Sequence, residues 1–235
     1  MYKFFISSCF LFVFVSGFSQ EKKPVLDKNV EKDSIVYKSP YGFRVGLDIS
    51  KPIFAMLSDD YSGFEIVADY RVSKRFFIAT EIGFEKETTA EDYTNSTSKG
   101  NYLKLGFNFN AYNNWLDMNN EIFIGMRYAY SLFDQTLNSY TPNIGDFYFD
   151  NQEVFLGETT TNLSAHWTEF VFGLKAETFK NLFVGFSVSY KVLLSVEDPE
   201  NFKTLYVPGF NRVFQSNTGF GFNYTISYTI PFVNK

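Results

Sequence analysis

The sequence predicts an all-β protein, an eight-stranded antiparallel transmembrane β-barrel with long outer loops and short periplasmic turns. Three observations carry that prediction. Large apolar side chains occupy every second position through eight separate stretches, the period of a strand with two unlike faces. Aromatic residues make up 20% of the 235 residues, with 30 Phe and 16 Tyr, a load above what an ordinary soluble domain needs. The connections between stretches alternate between short and longer, the asymmetry of a barrel with periplasmic turns at one end and outer loops at the other.

Taken from the start, residues 1–19 read as a signal peptide. Lys3 supplies the positive beginning and residues 4–15 a short apolar run. Gly17 and Ser19 are the small residues before a cut at Gln20. The run is too short for a helical anchor. Cys9, the single cysteine, lies inside it, so the mature chain would carry no thiol, disulfide or cysteine-based metal site. Residues 20–40 are charged, proline-containing and aperiodic, and predict a flexible periplasmic N-terminal tail. The barrel is assigned to 41–235.

The first strand sets Tyr41, Phe43, Val45, Leu47 and Ile49 against Gly42, Arg44, Gly46, Asp48 and Ser50. Equivalent alternations follow from Phe64 to Tyr70, Phe76 to Glu85, Leu103 to Phe109, Ile122 to Leu132, Glu169 to Lys175 and Leu182 to Val192. The last runs from Phe220 through Phe222, Tyr224, Ile226, Tyr228 and Ile230 to Phe232. Stretches of about ten residues match a tilted membrane strand. Short connections fall at 72–75, 112–120 and 179–181, with others near 57–62, 87–100, 134–164 and 195–214. An even strand number places both ends of the barrel on the periplasmic side.

The second face carries charge. It holds Asp48, Glu65, Asp69, Glu81, Glu85 and Glu169, matched by Arg44, Arg71, Lys104, Arg127, Lys175 and Lys191. A Lys or Arg facing lipid at mid-bilayer costs about 2–4 kcal/mol, so this face turns inward. Eight strands leave an interior just wide enough for side chains, so these groups are expected to form an ion-pair network filling it. That packed interior argues against a diffusion porin.

Little else points to chemistry. His166 is the only histidine; Ser164 and Glu169 lie close in sequence, but proximity in sequence is not a catalytic triad. One His without cysteine makes no typical zinc site. Gly219 and Gly221 sit within a strand with no helix following, which excludes a dinucleotide loop. Asp59 and Asp60 read as a solvated turn. No catalytic residues, cofactor or metal are expected, and a net charge of −5 gives no support to nucleic-acid binding. The apolar groups of the two longest outer loops, centred on Phe147, Tyr148, Phe149, Tyr206, Val207 and Phe210, must pack on each other, on the rim or on a partner. They are assigned as a partner contact.

The stretch "YTISYTIPF" resembles the C-terminal signal that barrel insertion machinery reads, with Tyr228, Ile230 and Phe232 in its alternating apolar positions. The tail "VNK" departs from the commoner aromatic ending. The leader ending "SGFSQ", the Phe, Tyr and Asn content and the "YTIPF" end together resemble small outer-membrane β-barrels of Bacteroidota. More narrowly, the chain looks like the barrel family that accompanies the barrel assembly machinery there. "DSI", with Ser34 at its centre, is similar to the O-glycosylation motif of those bacteria. The resemblance implies an outer-membrane location, contact with outer-membrane lipid and the insertion machinery, and other outer-membrane or periplasmic proteins as partners. The expected function is a non-catalytic accessory or scaffold component of an outer-membrane complex. A lipid-modifying enzyme and a surface-binding or adhesion barrel are the alternatives.

Overall fold

A computed structural model describes residues 40–114, 118–142 and 152–234. The segment 1–19 expected to be a signal peptide, Ser34 and nearly all of the 20–40 stretch lie outside the described residues, as do Phe147, Tyr148 and Phe149. Eight long strands form one antiparallel sheet that closes in a ring. They are β1 (Pro40–Asp48), β2 (Tyr61–Arg71), β3 (Phe76–Ala90), β4 (Thr94–Asn110), β5 (Glu121–Tyr140), β6 (Val154–Phe179), β7 (Leu182–Val196) and β10 (Thr218–Asn234). Each pairs with its neighbour in the chain, and β10 returns to β1 to close the ring. A two-stranded hairpin, β8 (Tyr206–Val207) with β9 (Asn211–Arg212), and one helix, α1 (Ser50–Leu57), complete the described elements.

The alternation of the sequence maps onto the two faces of this ring. Phe43, Ile66, Ile78, Leu105, Ile124, Phe172, Val188 and Ile226 all stand outward and exposed, while the residues between them are inward. Turns at one end are short. Lys180 and Asn181 join β6 to β7, with Asn181 at φ +66°, a conformation asparagine tolerates.

Three features depart from the sequence reading. The stretch at 134–164 is mostly strand, because β5 runs to Tyr140 and β6 begins at Val154. The stretch at 87–100 is likewise mostly strand, closed by a tight link between Ala90 and Thr94. These extensions were not legible because their outward face is polar. Thr88 and Thr97 hydroxyls lie 3.0 Å apart, and those of Thr136 and Thr159 lie 2.8 Å apart. A wall with two polar faces has no hydrophobic alternation to read. The third departure is α1, which follows β1 directly and tolerates Pro52 because proline is accommodated in a first helical turn.

Candidate functional site

The charged residues expected inside the ring do point inward, and register explains how they meet. Arg44 stands opposite Asp69, Glu81 opposite Lys104, and Glu169 between Arg127 and Lys191 on its two neighbouring strands. Near the short-turn end, the Arg44 guanidinium donates to both carboxylate oxygens of Asp69 at 3.0 Å. It also makes a fork to Glu121 at 3.0 and 3.1 Å. Lys175 reaches the same Asp69. In the order of the ring, β1 lies opposite β5 and β2 opposite β6, so Arg44–Glu121 and Lys175–Asp69 cross it along two diameters. Such bidentate, charge-assisted contacts hold both partners in one geometry.

A second layer lies toward the other end. Lys104 sits among Glu81 at 3.1 Å and Glu65 and Glu169 at 3.5 Å. Arg127 binds Glu81 at 3.1 Å and Asn108 at 2.8 Å. Lys191 is 3.9 Å from Glu169 and donates to the Gly209 carbonyl at 2.7 Å. Interior voids of about 40 Å³ and about 20 Å³ are only water-sized.

Two expected members behave differently. Asp48 is fully buried but is engaged by neutral donors: the Ser50 N–H and hydroxyl, the Tyr224 N–H and the Asn223 amide. Its carboxylate takes the place of ladder carbonyls where β1 gives way to α1. Arg71, at the short-turn rim, donates to the Lys74 carbonyl and lies over the rings of Tyr41 and Phe77. Sequence reading missed Glu121 and Lys51. Glu121 continues the inward parity of its strand one step before Ile122, a signal that was present. Lys51 enters through α1, which period-two reasoning could not place.

Beyond this layer the ring is plugged. The partner contact expected at Tyr206, Val207 and Phe210 is corrected here: all three are buried within the ring. Val207 and Phe210 pack with Tyr102, Phe133, Leu163, Trp167 and Leu193. The Phe210 and Trp167 rings meet edge-on at 5.8 Å. Apolar loop residues leave water most completely in the nearest cavity, which here is the mouth of their own ring. Glu85 anchors the plug. It accepts from the Gly209 N–H at 2.6 Å, Tyr206 Oη at 2.9 Å and Tyr61 Oη at 3.0 Å, and pairs with Lys51 of α1. Gly209 is at φ +84°, and a Cβ there would lie 2.6 Å from the Tyr102 ring. On the surface Arg212 pairs with Glu91.

A cavity of about 350 Å³ lies beside the plug, bounded in part by α1. Glu87 lines it, at a level where the outward positions have changed to charge: Lys86, Lys99 and Asp134 stand side by side across three strands. Burial, with Glu85 and Asp60 nearby, pushes the Glu87 carboxyl up to about 7.

His166 stands outward and shares a 2.8 Å hydrogen bond with Tyr128 Oη. Glu169 is on the opposite face of the same strand, bound to Trp167 Nε1 at 2.7 Å inside. Ser164, His166 and Glu169 are therefore not brought together. Tyr228, Ile230 and Phe232 lie in a row on the outward face of β10.

A family model for a domain of unknown function, DUF6048, matches residues 1–235. The chain belongs to the DUF6048 family. No curated protein matches it. In this DUF6048 chain the filled, cross-braced interior, the plug and the side cavity are the features any function must use.

Proposed function

We propose that this protein is an outer-membrane β-barrel that acts as a non-catalytic accessory or scaffold component of an outer-membrane protein complex, in the setting of barrel assembly. The supporting observation is the pairing of an apolar outer face with an interior closed by its own side chains. Soluble monomers rarely expose a contiguous apolar patch above a few hundred Å², whereas here the outward apolar positions run around the ring. In lipid, backbone groups must be paired, which the sheet achieves over the height where β1 pairs with both β2 and β10. The belt of Lys86, Lys99 and Asp134 marks one edge of the lipid-facing band. Tyr228, Ile230 and Phe232 then form the signal for the insertion machinery.

The protein-contact role rests on the wall above that belt. A membrane strand needs about 9–11 residues, yet β5 has 20 and β6 has 26. The excess stands in water and carries exposed apolar groups at its tip, with Phe155 77% exposed beside Leu156 and Tyr140. With Tyr206, Val207 and Phe210 buried, the contact surface is assigned to this tip instead of to the plug. The test is crosslinking and purification from the native outer membrane of the intact protein and of a Phe155→Asp, Leu156→Asp variant. The intact protein is expected to carry subunits of the insertion machinery, and the variant to lose them while remaining inserted. An intact protein that purifies alone refutes the reading.

A further inference from the structure

The ring is not closed by strand pairing over its whole height. The β1–β10 ladder ends at Asp48 opposite Thr225, while β10 continues to Thr218 paired only with β7. On the other side β2 reaches back to Tyr61, but its pairing with β1 ends at Glu65. Between these two strand ends the wall is a single short helix. α1 is held by Asp48 at its start and by edge-on contact of Phe54 with Phe222 at 5.7 Å.

The cavity of about 350 Å³ lies at this gap, and its walls belong to both sides of the ring. Phe54, Phe220 and Phe222 form one wall. Phe220 and Phe222 are outward residues of the apolar band, and Phe220 is 76% exposed. Lys51, Lys104 and Lys191 form the other, from the interior. The carboxylates that hold these lysines, Glu65, Glu81, Glu85 and Glu169, are not among the described residues lining the cavity. The face presented to an occupant is therefore that of three lysines, each paired with a carboxylate behind the wall. The one carboxyl among the described lining residues is that of Glu87. Tyr61 faces Glu87 in register, so the polar end of the cavity stands at the level of the charged belt.

We propose that this side port binds an anionic single-chain amphiphile from the outer part of the membrane, its acidic head among Lys51, Lys104 and Lys191 and its chain leaving past Phe54, Phe220 and Phe222. The volume is at the small end of ligand sites, which suits a head and the first part of a chain. An acid head is stabilised by ammonium donors in a site with little water, and a tail by apolar surface at the same opening. A neutral head would accept more weakly than an acid from the lysine N–H groups that face the cavity. The site rests on the membrane-barrel reading above but not on its partner role.

The test uses the purified full-length protein in vesicles of zwitterionic phospholipid. Binding is measured for palmitate, hexadecyl phosphate, monopalmitoylglycerol and inorganic phosphate. Palmitate and hexadecyl phosphate are expected to saturate at one per chain, about tenfold or more tighter than the monoglyceride, with inorganic phosphate weaker still. A Phe54→Cys, Phe222→Cys pair is expected to lose binding when oxidised and regain it on reduction. Lys51→Gln is expected to weaken the acids without weakening the monoglyceride. Equal binding of the monoglyceride, tight binding of phosphate alone, or unchanged affinity in the oxidised pair overturns the site. Heat-modifiable gel migration and protease protection on the same vesicles separate the two readings. An inserted protein that binds no amphiphile refutes this site alone, while a protein that never inserts refutes both.

Discussion

Glu85 on β3 joins three other parts of the molecule: Lys51 on α1, Tyr61 on β2, and Tyr206 and Gly209 in the plug. A fully buried carboxylate with this many donors is stable only while they remain. Glu85→Gln keeps the size but removes the charge that faces Lys51, leaving a buried ammonium short of its partner. Breaking one side of a buried pair costs about 3–5 kcal/mol. The variant is expected to lose stability on that scale, read as a lower denaturant midpoint for the folded protein. Proteases are expected to cut the 198–214 segment faster than in the parent. A midpoint unchanged from the parent contradicts the anchoring role. Glu85 was legible in sequence as an inward charge through its parity with Glu81. Its partners were not, because nothing local links position 85 to positions 206 and 209.

At the scale of elements, legibility followed the contrast between faces. β1 to β7 and β10 could be read where one side is apolar and the other holds glycine, serine and charge. Reading stopped where that contrast stops, at the threonine-faced extensions of β3 to β6. α1 escaped because eight residues are too few to display a helical period. The plug escaped for another reason: Val207 and Phe210 look like exposed loop residues until Trp167 and Tyr102 are placed beside them. The junction of β1 and α1 gives the prediction at this scale. Asp48→Ala removes the carboxylate that accepts from Ser50, Asn223 and Tyr224. Leaving a buried donor unmatched costs about 1–3 kcal/mol. Faster hydrogen exchange is expected at the Ser50 and Tyr224 amides, with exchange at the Arg44–Asp69 end unchanged. Equal exchange at both ends contradicts the role assigned to Asp48.

At the scale of the whole molecule, the interior is closed by the plug and, independently, by the charged layers beneath it. The plug fills one end, and the Arg44, Asp69, Glu121 and Lys175 cluster fills the other. Deleting 199–214 is therefore expected to leave the protein non-conducting in planar bilayers. Adding Arg44→Ala and Glu121→Ala to the deletion is expected to leave it closed still, because Lys104, Glu81, Glu169 and Arg127 remain across the interior. A stable pore from the deletion alone contradicts closure by the charged layers.

The two diametric contacts also have a mechanical meaning. A thin-walled tube under sideways load yields first by flattening into an ellipse, lengthening one diameter as it shortens the other. Arg44–Glu121 and Lys175–Asp69 tie opposite walls along two different diameters. Flattening in either direction must stretch or crush one of them. The cross-section at that level is thus held round against pressure from the side, and compliance is left to the place without strand pairing among the described residues, beside α1.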